Sequence, residues 1–299
     1  MTSRGGEFMT PPGFPTEAMA EPLLRIEGLG LALPDRARRP FFGRVPLRSI
    51  LSNIDLEVAA GECLGLVGES GSGKTTLART VLRLHEPQRG RIVFAGNDIT
   101  HADEAALRPL RERMQMIFQD PLSALNPRRR VGEIVVQPLL AYGRLGASPS
   151  RPTRDARARQ LLEQVALPAA FAERWPHELS GGQRQRVGIA RAIALEPALI
   201  VADEIVSGLD VSTQARILVL LRELRQRLRT SMIFVTHDLA VVRVLCDRVA
   251  VMHEGRIVEH GPTSEVFGAP RHAYTRALLE AIPRPEIGTG WLERVPADA

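Results

Sequence analysis

Gly68-Glu-Ser-Gly-Ser-Gly-Lys74-Thr75-Thr76 is the stretch that decides the fold. It fits G-x-x-x-x-G-K-[ST], a loop whose backbone N–H groups turn inward as a nest for phosphate oxygens. Before it, Cys63-Leu-Gly-Leu-Val67 is a short continuous apolar run, the pattern of a strand buried on both faces of a parallel sheet. After it, Leu77, Val81 and Leu82 share one face of a helix that ends before Pro87. A phosphate loop requires this strand–loop–helix context, because the helix N-terminus adds its dipole to the anion site. Gly68, Ser70, Gly71, Ser72, Gly73, Lys74, Thr75 and Thr76 are therefore the candidate phosphate-binding residues. Lys74 is aimed at the β- and γ-phosphates of a nucleotide, and Thr75 at Mg2+.

Composition singles out the same lysine. Lys74 is the only lysine among 39 Lys+Arg residues in a chain of 299. Genomic bias accounts for most of the arginine excess, yet one position keeps a slender ammonium. A point charge at the end of a tight loop reaches phosphate in a way that a wide guanidinium fork does not.

The rest of the composition bounds the class. A length of 299 residues with 44% hydrophobic content can bury a sizeable core in one large or two small domains. Aromatics at 4% argue against a base-stacking nucleic-acid surface. The net charge of +5 is spread over interspersed Arg and Asp/Glu, with clusters only at Arg36-Ala-Arg38-Arg39 and Arg128-Arg129-Arg130, which read as solvated surface. Cys63 and Cys246 give neither a disulfide framework nor metal spacing, and Cys63 reads as a small core residue. No apolar run approaches the roughly 18 residues of a membrane span. Residues 1–22, rich in Pro, Gly, Ser and Glu, read as a disordered lead without a signal-peptide core.

Working outward, Leu24, Ile26, Leu29, Leu31 and Leu33, then Ile54, Leu56 and Val58, alternate as in half-buried antiparallel strands. A Pro/Arg-rich insertion at 34–46 separates them. Helical patterns run over Ile134–Tyr142 and Ala156–Val165, broken by a Gly/Ser/Pro stretch at 143–153. They predict a helical subdomain inserted into the nucleotide core. Leu199–Ala202 and Met232–Val235 read as strands, joined by a helix from Ser212 to Leu228 with Ile217, Leu221, Leu224 and Leu228 on one face. Strand–helix–strand predicts a parallel crossover. A short strand pair and a Pro-punctuated tail follow Val249.

Three further motifs carry chemistry. Leu199-Ile-Val-Ala-Asp203-Glu204 ends an apolar strand in two carboxylates, like a Walker B strand: Asp203 placed to hold Mg2+ through water, Glu204 placed where water attacks the γ-phosphate. Leu179-Ser180-Gly181-Gly182-Gln183 opens a helix with N–H and hydroxyl donors suited to an anion. Phe118-Gln119-Asp120, Ser207-Gly-Leu-Asp210 and Thr236-His237-Asp238 complete an ordered set. With these residues the chain resembles the ATP-binding-cassette (ABC) ATPases over about residues 23–299. The resemblance implies an α/β fold: a P-loop, RecA-like core with an antiparallel β subdomain and an inserted helical subdomain. It implies ATP and Mg2+ as cofactors, Glu204, His237 and Gln119 as catalytic residues, and Thr75, Gln119 and Asp203 around the metal. Ser180, Gly181, Gly182, Gln183 and Asp210 are then expected at nucleotide, the signature serving the γ-phosphate held by a second subunit. ATP thereby glues a head-to-tail dimer that hydrolysis releases.

The chain departs from the family pattern at Ile205-Val206, where Pro-Thr is usual, with little expected effect. The aromatic that stacks on adenine has candidates in Phe41 and Phe42.

The tail narrows the family. His272-Ala-Tyr274-Thr275-Arg276-Ala277-Leu278-Leu279 and Ile282-Pro283-Arg284-Pro285 are similar to the C-terminal extension of oligopeptide, dipeptide and nickel importer ATPases, with His-Ala-Tyr for the usual His-Pro-Tyr. Phe118 to Arg128 resembles the second ATPase subunit of those systems. The implied division is 1–22 lead, 23–255 ATPase domain with helices inserted at about 120–182, and 256–299 C-terminal extension. The implied partners are a second cassette (different, or a copy), two membrane permease subunits and, indirectly, a substrate-binding protein, with no nucleic acid. The implied location is the cytoplasmic face of the membrane, held there by the permeases. Asp120 to Gln137 is expected to receive a permease helix, with Leu125 and Val131 as contacts. A nickel or other small-solute importer is the alternative. An ABC ATPase acting on DNA or ribosomes is disfavoured by the single cassette without coiled coil or zinc insertion. A non-hydrolysing regulatory cassette is disfavoured by Glu204 and His237 at catalytic positions.

Overall fold

The computed structural model describes residues 21–35 and 45–281. Phe41, Phe42, the 36–39 arginine cluster, most of the 1–22 lead and the Ile282–Pro285 segment lie outside the described residues.

Two sheets form around the glycine loop. β1 (Leu24–Pro34) pairs antiparallel with β2 (Leu47–Val58) and with β4 (Arg89–Phe94), and β5 (Asn97–Asp98) extends the edge, giving the order β2-β1-β4-β5. The second sheet has the order β10-β9-β3-β8-β7-β6. It contains β3 (Cys63–Val67), β6 (Met114–Ile117), β7 (Leu199–Asp203), β8 (Ser231–Val235), β9 (Arg248–His253) and β10 (Arg256–Pro262). All its pairings are parallel except the antiparallel β9–β10 edge.

The inner strands are apolar throughout because both faces are covered. β3, β7 and β8 are buried at every position. Side-chain alternation then splits each strand between two cores. Leu64 and Leu66 of β3, Leu199 and Val201 of β7, and Ile233 and Val235 of β8 point to a core closed by the antiparallel sheet and by Leu77, Ala78 and Val81 of α1 (Lys74–Val81). Cys63 and Val67, Ile200 and Ala202, and Met232 and Phe234 point to the opposite core. At about 1.5–3 kcal/mol for each large apolar side chain buried, this double burial fixes the register of the strand that carries the loop.

Helices close the second core. α2 (Glu104–Glu112) leads into β6, and α3 (Pro121–Ala124) follows it. α4 (Val131–Ala141) and α5 (Arg151–Gln164) pack against α6 (Gly181–Ile193) and against a short 3-10 turn at Ala169–Glu173, and a second 3-10 turn at Pro176–Glu178 precedes α6. α6 also contacts α7 (Val211–Leu228) and β6, so the helical layer joins the sheet. α8 (Leu239–Leu245), α9 (Thr263–Gly268) and α10 (Ala273–Glu280) complete the order.

α5 begins five residues before the expected Ala156. Ser150 caps it by accepting the Thr153 N–H, and Pro152 falls in the first turn, where the fixed φ suits a helix and no hydrogen bond is lost. The proline read as a breaker is a starter. The two cysteines are free and buried as expected of core residues, and their Sγ atoms lie 3.6 Å apart across 183 residues of sequence.

Leu125 and Val131 are 1% and 0% exposed, so neither can be a surface contact. They belong to the core under α4. The exposed side chains of that segment include Arg128, Arg129, Arg130 and Glu133.

Candidate functional site

The loop leaves β3 through Gly68, whose φ is +148°. A Cβ at that position would lie 2.1 Å from the Met252 carbonyl oxygen, so β9 presses directly on the loop backbone. Gly73, at φ +107°, stands at the N-cap position of α1 and offers no side-chain cap. The first N–H groups of α1 thus keep no side-chain acceptor from their own cap, the condition under which a helix start takes an anion. Ser72 Oγ is buried and has no hydrogen-bond partner. A buried orphan hydroxyl beside uncapped amides is the signature of a ligand cradle. Gly71, at φ +84°, has open space where a Cβ would lie.

Lys74 is 4% exposed. Its ammonium donates to the carbonyls of Gly68 and Glu69, both at 2.8 Å. Burial pushes its pKa down, opposed by the charges of Glu204, Asp203 and Glu69. The next residue, Thr75, donates its hydroxyl to Asp203 Oδ1 at 3.1 Å. Asp203 is 2% exposed at the end of β7. Burial raises its pKa, the Thr75 hydrogen bond lowers it, and neighbouring Glu204 raises it again. A buried carboxylate held at an alcohol is an oxygen-donor pair of the kind that holds a hard cation with phosphate oxygens and water completing the shell.

Glu204 follows at φ +47°, left-handed backbone in a non-glycine residue. Its N–H donates to the Val235 carbonyl at 2.9 Å, and Ser207 N–H and Oγ close the turn on its carbonyl. Strain of this kind costs on the order of 1–3 kcal/mol and persists where the surroundings over-determine it. The outcome is convergence. Gln119, from the end of β6, donates to Glu204 Oε2 at 2.7 Å. His237, just past β8, places Nδ1 3.6 Å from Glu204 Oε1. Three parallel strands thus bring Gln119 and His237 to the Glu204 carboxylate, beside Lys74 and Asp203. This is the crevice at the carboxyl ends of a parallel sheet. Ile205 and Val206, in place of Pro-Thr, are buried in the core behind Glu204.

The signature is built differently. Ser180 caps α6 by accepting the Gln183 N–H at 3.3 Å, and Gln183 Oε1 accepts the Ser180 N–H at 2.9 Å. A Cβ at Gly182 would lie 2.4 Å from Thr213 Cγ2, so α6 touches α7 there through a bare backbone. A Cβ at Gly181 would make ordinary contact with Leu209. Among the described residues, no hydrogen bond joins Ser180–Gln183 to the loop 68–76. Asp210 caps α7, accepting from Thr213 N–H and Ser212 Oγ, and these bonds hold its carboxyl well below the usual range. Thr76 accepts from Thr80 Oγ1 through its backbone carbonyl, a bond internal to α1.

Three contacts on the loop were not expected from the sequence. The Met252 carbonyl confines Gly68; Gly255 N–H donates to the Ser72 carbonyl at 3.0 Å; Glu69 N–H donates to the Tyr274 hydroxyl at 2.9 Å. Tyr274 stood in the sequence only as part of a tail motif.

Comparison with known proteins agrees with this geometry. A model of the ABC transporter family matches residues 51–207, and a model of the oligopeptide/dipeptide transporter C-terminal region matches 258–299. The chain belongs to the ABC transporter family. A Brucella ovis protein that carries the name peptide import ATP-binding protein is 50% identical over 265 residues, covering 89% of this chain and 80% of that protein. A Brucella abortus protein of the same name is 46% identical over 289 residues, covering 96% and 83%. The dimeric structure of an ATP-binding cassette in a post-hydrolysis state, bound to ADP and Pi, superposes with a TM-score of 0.69 at 28% identity, covering 80% of this chain and 98% of that one. The chain is thus an ABC ATPase with the α/β P-loop cassette fold, and ATP or ADP is its nucleotide. No helix among the described residues is long and apolar enough to cross a membrane.

Proposed function

We propose that the chain is the ATP-hydrolysing subunit of an importer for di- or oligopeptides, working as one of two cassettes under a pair of permeases. The observation that carries the hydrolytic half is the meeting of Gln119, Glu204 and His237 beside Lys74, Thr75 and Asp203. Lys74 binds the β- and γ-phosphates, with the amides of residues 71–76 and the Ser72 hydroxyl around them. Thr75, Asp203 and Gln119 would hold Mg2+, which would offset charge on the phosphate oxygens. Glu204 orients the attacking water and takes its proton. His237, on the other carboxylate oxygen, contacts the γ-phosphate.

The signature completes the partner's site rather than its own. Ser180 and Gly182, at the start of α6, face the nucleotide of the opposing subunit, and Asp210 lies along the same seam. Cooperative assembly then follows ATP occupancy, and loss of the γ-phosphate opens it. The named function of the Brucella relatives and the C-terminal family match support peptides as the cargo. A substrate-binding protein delivers that cargo outside, and the chain stays at the cytoplasmic face through its permease contacts. The groove between α4 and α5, about 590 Å3 and lined by Arg129, Arg130, Glu133, Leu140, Arg154 and Asp155, is the docking place for a permease helix, in place of Leu125 and Val131.

The test is uptake of a labelled di- or oligopeptide in cells with and without this subunit, alongside ATPase activity of the purified complex. Loss of peptide uptake together with nucleotide turnover in vitro supports the proposal. Unchanged peptide uptake with loss of nickel or sugar uptake overturns the cargo, and absence of turnover in the full complex overturns the enzyme.

A further inference from the structure

One peptide plane of the phosphate loop is gripped from both sides. The Gly68–Glu69 peptide presents its carbonyl to the Lys74 ammonium at 2.8 Å and its N–H to the Tyr274 hydroxyl at 2.9 Å. The plane cannot turn without breaking both bonds, and Gly68 cannot shift toward β9 because the Met252 carbonyl is already there. Tyr274 lies 205 residues away in sequence, on the first turn of α10.

That first turn is itself locked. Glu259 of β10 accepts the N–H groups of Arg271 and His272 at 2.8 and 3.0 Å. His272 caps α10, its Nδ1 accepting the Tyr274 N–H at 3.2 Å. The Tyr274 ring stacks on His253, at the end of β9, with centroids 3.9 Å apart and planes 12° from parallel. So in His272-Ala-Tyr274 the histidine starts the helix, and the tyrosine carries the helix to the loop. Burial raises the Tyr274 phenol pKa, keeping it a neutral hydroxyl whose oxygen accepts from Glu69.

We propose that Tyr274 is a positioning residue for ATP binding: it orients the Gly68–Glu69 peptide, and through that carbonyl the Lys74 ammonium, so that the C-terminal extension presets the phosphate loop. A loop held in one orientation loses less freedom when it closes on phosphates, which appears as affinity rather than as rate. The inference rests on the ATPase reading of the loop and is independent of the cargo.

The test is Tyr274→Phe in the full-length chain, assayed for ATP affinity alone and for turnover in the complete transporter. Phenylalanine keeps the ring stack and removes only the acceptor. KM for ATP should rise about fivefold, the effect of one hydrogen bond, with kcat unchanged and the unfolding temperature lower by no more than the roughly 2–4 °C that one hydrogen bond is worth. Amide exchange should accelerate in the peptide covering 68–73 and nowhere else. His253→Leu, which leaves the hydroxyl in place, should move KM less. Wild-type KM and exchange in Tyr274→Phe overturns the proposal. So does a KM rise accompanied by a larger fall in unfolding temperature and chain-wide exchange, or an equal shift in His253→Leu, because packing rather than the hydroxyl would then be responsible. If the chain shows no turnover even as wild type, the ATPase reading fails, while a loop-specific exchange change would still support the tether.

Discussion

The two glycine-rich helix starts of this cassette, at α1 and at α6, carry similar residues and are prepared in opposite ways. At α1 the N-cap is a glycine without a side-chain acceptor, Ser72 Oγ is orphaned, and Lys74 is buried against two carbonyls. At α6 the serine and glutamine satisfy each other in a capping box. The first site holds its strain and its unpaired groups ready for a ligand within the same chain. The second is a finished helix end whose remaining donors await something outside. The same helix-start physics therefore leaves unpaired groups in one place and satisfied ones in the other; under the proposed function the first is a binding site and the second an interface, and each substitution below presses on that difference.

The largest effect belongs to the α1 side. Glu204→Gln keeps the size and the Gln119 contact but loses the base, so turnover should fall by about 10²–10⁴-fold. ATP affinity should persist, with the dimer outlasting that of the wild type. Near-normal hydrolysis rates in this variant would remove Glu204 from the mechanism. Next comes Lys74→Arg, in which a planar fork replaces a point charge in a space where 4% of the residue is exposed. ATP binding should weaken roughly tenfold or more, read by nucleotide titration. Because Lys74 is the only lysine, an amine-reactive label counted separately from the N-terminus gives a direct readout in the wild type. Mg-ATP should slow the labelling; equal rates with and without nucleotide would place the amine outside the site.

Much of the α1 side was legible in the sequence, for a physical reason. A phosphate loop needs glycines at left-handed positions, one lysine and one hydroxyl at fixed spacing, and chemistry that strict leaves a pattern. Glu204 and His237 could be placed because each follows an apolar run that reads as a strand, and parallel strands bring their carboxyl ends to one edge; Gln119 is reached only through the family resemblance. What stayed hidden depends on the folded surface alone. Periodicity cannot tell that Leu125 and Val131 point inward, because Leu125 lies in the short connection after α3 and Val131 opens α4, so neither has a preceding period to read. Nor can it tell that Tyr274 reaches Glu69, a contact made by the meeting of β9, β10 and α10. Pro152 was misread because proline is a helix breaker everywhere except in the first turn. Asp210 carries a local signal of its own: Asp three residues before Thr213 and ahead of an apolar helix is an N-cap pattern.

On the α6 side, Ser180→Ala should separate the two roles of one hydroxyl. Losing the cap should cost α6 about 1 kcal/mol, read as a small fall in unfolding temperature. ATP affinity of the isolated chain should not change, since that nucleotide belongs to α1. Turnover of the assembled complex should drop further than the stability loss explains. Weakened ATP binding by the isolated variant would break the comparison, since the signature would then be serving its own loop.

The smallest effect runs the other way and concerns stability. Asp203 is a buried carboxylate with its pKa raised, first by burial and then by Glu204. A group with a raised folded pKa contributes stability that is present below the unfolded value near 3.8 and lost as pH rises through the folded value. At neutral pH the fold therefore carries an ionised group that it holds at a cost. Asp203→Asn keeps an oxygen to accept from Thr75 Oγ1 and removes the charge. The variant should unfold about 2–4 °C higher at pH 7, the response to roughly 1 kcal/mol at this size, while losing Mg2+-dependent hydrolysis. The gain should shrink as pH is lowered toward the carboxyl range, where the wild-type group is itself neutral. Thermal melts at pH 7 and pH 4 decide the matter. A variant less stable at pH 7 would mean that the Lys74 and Thr75 contacts of Asp203 outweigh its burial, and that the α1 site is held together by the charge that the pKa shift says it resists.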